Sequence, residues 1–121
     1  MAEKLCIKYG GGGSTIHSLS TVEIGRKSGS GDITGLNLND YIGLCAVQTW
    51  SGVIVAPGLR TFITMDDFKA GNTFRSADGG NNGGSYYDTM AYIDNTTIRC
   101  TVTAPMNPGN VGVVIYGIKP E

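Results

Sequence analysis

A chain of 121 residues with a formal net charge of −1 holds one hydrophobic core and leaves no room for a second. Its nine Lys and Arg residues are scattered rather than gathered into a stripe, which argues against nucleic acid as a partner. No apolar run approaches the ~18 residues of a membrane span, so membrane insertion is not expected.

In chain order, Lys4 to Tyr9 reads as a short strand, followed by four glycines at 10–13 that mark a flexible break. TIHSLSTVEIG follows, with Ile16, Val22 and Ile24 on one parity and His17, Leu19, Thr21 and Glu23 on the other, read as a half-buried strand. Residues 26–32, RKSGSGD, form a polar turn. The stretch YIGLCAV is apolar on both parities and predicts a strand covered on both faces. GVIVAPG, RTFITM, YDTMAYI, TIRCTVTA and VGVVIYGI repeat the pattern of short β-branched runs bounded by Gly, Pro, Asn or Asp. DNTT at 94–97 predicts a hairpin joining YDTMAYI to TIRCTVTA. Helical signal is limited to one turn at MDDFKAG. The expected fold class is all-β, a single antiparallel β-sandwich of jelly-roll type with about eight strands.

The longest irregular stretch, Ala70 to Ser85, is rich in Gly and Asn, and a loop of this length in a small domain is expected to be functional or disordered. Its aspartates and asparagines are read as turn formers, with weak calcium binding as the alternative; no metal or cofactor is expected. The three cysteines, Cys6, Cys45 and Cys100, lie inside apolar segments without C-x-x-C spacing and read as buried thiols. No basic region followed by an apolar one opens the chain, so Sec export is not expected and a reducing cytoplasm is the expected place of synthesis.

Catalysis is not expected. The one histidine, His17, sits mid-strand, no G-x-S-x-G occurs, and GGGGST lacks the lysine of a phosphate loop. A sugar or receptor site needs an aromatic platform edged by amides and carboxylates. Trp50, Asn81, Asn82, Tyr86, Tyr87 and Asp88 are the candidate ligand-binding residues on that ground, set against ordinary core packing of the same rings.

The chain ends in VVIYGIKPE (113–121) after a polar turn NPGN, and carries LNLNDYIGL at 36–44. These two stretches, in this order, resemble a broad group of tail-associated phage adhesin modules, with the likeness covering roughly residues 33–119. The resemblance implies a β-sandwich head, often trimeric, displayed on a virion for host recognition. On that footing the expected function is a virion structural protein of tail or baseplate receptor-binding type, assembled in the host cytoplasm. Its expected partners are further copies of itself as a homotrimer, neighbouring virion proteins and a host-surface glycan. A capsid decoration protein or short head fibre is the alternative, and a free-standing carbohydrate-binding module the second. Residues 1–30 are expected to serve as a docking arm with its hinge at 10–13, and residues 31–119 as the core.

Overall fold

In the computed structural model, residues 3–8, 16–55, 58–77 and 85–120 are described, with side chains from residue 19 onward. Ten strands build two antiparallel sheets: β1 (Glu3–Lys8), β2 (Ile16–Ser28), β3 (Gly31–Ile33), β4 (Gly43–Trp50), β5 (Val53–Ile54), β6 (Thr61–Thr64), β7 (Phe74–Arg75), β8 (Tyr87–Asp94), β9 (Thr97–Thr103) and β10 (Val111–Pro120). The larger sheet runs β1-β2-β10-β4, with β5 and β6 both on the far edge of β4. The smaller runs β3-β9-β8-β7. The all-β expectation therefore holds. The strand count exceeds eight because β3 and β7, of three and two residues, are too short to leave a period in the sequence.

The core lies between the sheets. Leu44 and Ala46 of β4 and Val113 and Ile115 of β10 meet Met90 of β8 and Ile98 and Cys100 of β9. Alternation places Val47 and Val114 on the opposite face of the larger sheet, yet both are fully buried there. That double burial is why β4 and β10 are apolar on both parities.

The predicted hairpin forms, with β8 and β9 paired from Tyr87 opposite Thr103 to Asp94 opposite Thr97 and the register shifting between Tyr92 and Asp94. The Asp94 side chain accepts from the Thr96 backbone N–H at 2.8 Å, the Asx turn that DNTT encodes. Helix α1 (Met65–Lys69) is the single turn expected. The Thr64 side chain caps it by accepting from Asp67 N–H at 3.2 Å. Its spacing points Met65 and Phe68 inward, and the Phe68 ring meets Phe74 and Tyr92 edge to face at 5.7 and 5.9 Å. The helix thus carries the chain from one sheet to the other while closing one end of the core.

One expectation is corrected. Residues 16–28, the second half of the expected arm, lie inside the sandwich, because β2 is an interior strand of the larger sheet, paired to β10 from Leu19 to Ser28. Leu19 and Thr21 are buried, and Ile24 packs against the main core. Ile24 is the extra residue of a bulge, since Ile115 faces Gly25 while Tyr116 faces Glu23. The glycine hinge at 10–13 lies outside the described residues.

LNLNDYIGL folds as a 3-10 turn at Leu38–Asp40 leading into β4, and VVIYGIK is the middle of β10. The two stretches meet. Gly43 and Leu44 face Ile118 and Gly117 across the ladder, and Ile42 N–H donates to the Ile118 carbonyl at 2.7 Å. The Tyr41 ring occupies the space a side chain at Gly117 would need: a Cβ there would stand 2.4 Å from the ring.

Candidate interaction surface

β4 ends at Trp50, and a two-residue turn follows in which Ser51 and Gly52 both have positive φ, 50° and 83°. Two successive left-handed residues are the hairpin turn that matches strand twist, and they bring Val53 back opposite Trp50. Ser51 N–H donates to the Asn110 carbonyl at 2.8 Å, tying this tip to the start of β10. The Trp50 ring, 37% exposed, stands edge to face on Tyr86 with centroids 5.9 Å apart. Tyr86 is buried, and its carbonyl accepts from the Gln48 side-chain amide.

From Tyr86 the chain alternates. Tyr87 turns to the other face of the smaller sheet, where the Arg75 guanidinium lies 4.6 Å from its ring centre. Asp88 returns inward and is completely buried. The candidate residues therefore divide: Trp50 and Tyr86 touch, Tyr87 faces away, and Asp88 presents nothing to solvent. Asn81 and Asn82 lie outside the described residues. Trp50 and Tyr87 are the two candidate rings with surface left to offer, and the alternation of β8 keeps Tyr87 off the face that Tyr86 and Asp88 share.

A second surface escaped the sequence reading. On the outer face of the larger sheet, Phe62 of β6 stands opposite Cys45 of β4, which stands opposite Tyr116 of β10. Phe62 is 58% exposed, its ring lying against Gly43, and the Arg60 guanidinium sits 4.6 Å above the Tyr116 ring. Val53, Val55 and Leu59 are also exposed beyond the β4 edge, but Val53 stands opposite Trp50 and so shares the face of Trp50 rather than that of Phe62. Further along the face, Arg26 and Glu23 form an ion pair at 3.0 Å, which holds the Glu23 carboxyl below its ordinary range. An exposed phenylalanine flanked by an arginine–tyrosine stack has the composition of an association hot spot. GVIVAPGLRTF reads as core because an apolar strand lying at an edge has the same pattern as one lying inside. The Pro and Gly within it were the available signal of an edge.

Among the described residues, no group of three or more His, Cys, Asp or Glu side chains is placed to hold a metal ion. Cys100 is a buried free thiol whose pKa is pushed up to about 12, chiefly by burial, and Cys45 is also buried. The Cys6 side chain lies outside the described residues. Comparison with protein-family models, curated proteins and solved structures finds no match for this chain.

Proposed function

We propose that the chain is a surface module of a phage virion that works by association, of the tail or baseplate receptor-binding kind, and that it assembles as a homotrimer. The observation that carries association is the outer face on which exposed Phe62 lies beside the Arg60–Tyr116 stack. Covering such a face removes apolar area from water, and a standard interface of about 800 Å² per partner is within reach of a sheet this size. The phage assignment rests on the resemblance. In support of it, the two stretches that carry the likeness are in contact, with the Tyr41 ring seated on Gly117.

Light scattering on the purified protein tests the assembly. The expected mass is about 38 kDa, three times 12.7 kDa, falling to the monomer in Phe62→Asp. Because Phe62 is exposed, that substitution leaves the fold intact. A monomer at high micromolar concentration overturns assembly through this face. Sedimentation of lysates tests the virion role: the protein is expected in the particle fraction, and its confinement to the particle-free supernatant overturns the assignment.

A glycan-binding role at the Trp50 corner is the second reading, favoured by the half-exposed indole held upright on buried Tyr86. It predicts sugar binding that Trp50→Ala abolishes, with assembly unchanged.

A further inference from the structure

Asp88 is completely buried, and among the described residues neither of its carboxylate oxygens has a hydrogen-bond partner. Its backbone is committed on both sides to Ser76. Asp88 N–H donates to the Ser76 hydroxyl at 2.9 Å, and Ser76 N–H donates to the Asp88 carbonyl at 2.9 Å. The side chain therefore cannot swing out to water unless the β7–β8 pairing, only two residues long, comes apart.

Among the described residues, the groups around it offer no cation. Val102 stands opposite it on β9, and Cys100, two residues along, is a neutral thiol at any physiological pH. Gln48 of β4 gives its amide to the Tyr86 carbonyl. Lys27 of β2 lies along Gly31, where its Nζ would be 3.1 Å from an added Cβ. Asp32 of β3 is engaged with Arg99, and Arg75 of β7 lies on the Tyr87 ring, on the other face. A carboxylate closed into such surroundings with no partner is strongly disfavoured relative to the neutral acid.

We propose that Asp88 is a proton-operated latch: the two sheets close around the neutral carboxylic acid, and its ionisation releases the β7–β8 edge of the smaller sheet. Burial raises its pKa from 3.8 to about 7. The folded chain thus keeps a proton that the unfolded chain loses near pH 4, so stability falls as pH rises from about 4 and levels off above about 7. Across that window the unfolding constant rises on the order of a thousand-fold, equivalent to about 4 kcal/mol at 1.36 kcal/mol per pH unit. The β7–β8 edge yields first, because its ladder is only two residues long and the Ser76 clasp that extends it runs through Asp88 itself. The latch is independent of the virion assignment.

The test compares His17→Gln with His17→Gln/Asp88→Asn, since histidine as a residue type ordinarily titrates in this range and His17 is the one histidine of the chain. Amide exchange of Ser76 and Asp88, corrected for intrinsic rates, is followed between pH 5 and 8. Protection is expected to fall more than tenfold in the first protein and to stay level in the second. An equal slope in both overturns the latch. Carbon-13 titration of the Asp88 carboxyl in the folded wild type decides the matter even if the Asn variant fails to fold: a midpoint near 7 supports the latch, and one near 4 sinks it.

Discussion

Replacing Gly117 by alanine probes the contact between the two stretches that carry the adhesin likeness. The added methyl would stand 2.4, 2.6 and 2.7 Å from Cδ1, Cε1 and Cγ of Tyr41. The shortest of these is about 1.1 Å inside the ~3.5 Å at which carbon atoms attract. The ring has little freedom to retreat, because backbone bonds from Tyr41 N–H to the Leu38 carbonyl at 3.3 Å and from Ile42 N–H to the Ile118 carbonyl at 2.7 Å hold its segment on both sides. Overpacking of this kind costs about 1–3 kcal/mol, partly offset by the ~0.4–1 kcal/mol that alanine gains over glycine by restricting the unfolded chain. The expected net loss is about 1–2 kcal/mol, a fall of roughly 4–8 °C in Tm for a chain of this length. Scanning calorimetry of Gly117→Ala, Tyr41→Ala and the double variant closes a thermodynamic cycle. Removing the ring gives the methyl its space, so the double variant should be more stable than the sum of the singles by about 1–2 kcal/mol. A Gly117→Ala protein as stable as the wild type, or strict additivity in the cycle, would refute the ring-on-glycine account.

Phe68→Ala should be far more damaging, by about 3–5 kcal/mol in urea unfolding, because it empties a fully buried site and removes two edge-to-face ring contacts. A loss under 1 kcal/mol would mean that α1 does not close the core. The Cys100 thiol should resist alkylation in the folded protein at pH 8 and react fully in guanidinium, since burial keeps it protonated and covered. Peptide mapping that finds Cys100 labelled at native-state rates comparable to a free thiol would contradict its place between the sheets.

Much of the fold was legible along the chain because strand formation leaves a local record. Alternating residues in YDTMAYI and TIRCTVTA, the Asp-Asn turn between them and the doubly apolar YIGLCAV each carry their own signal, and each became the element it predicted. The short strands β3 and β7 were not legible, since they exist only where a neighbour supplies the ladder. The place of residues 16–28 in the sheet was not legible for a related reason: a glycine-rich break earlier in the chain says nothing about which strand lies beside the next segment, and here that neighbour is β10, with paired residues 84 to 101 positions apart in sequence.

The candidate surface shows the same division. Sequence alone determined that Tyr86 and Tyr87 must face opposite ways, because successive side chains in a strand always do. It also placed Trp50 at a turn and an aspartate two residues beyond Tyr86. Only the tertiary structure decided that Tyr86 is the ring that supports Trp50, that Asp88 is buried with no partner for its carboxylate among the described residues, and that Phe62 faces outward while Ile63 faces the core. Strand pairing across long separations chooses which parity is covered, and no local pattern records that choice when both parities are apolar.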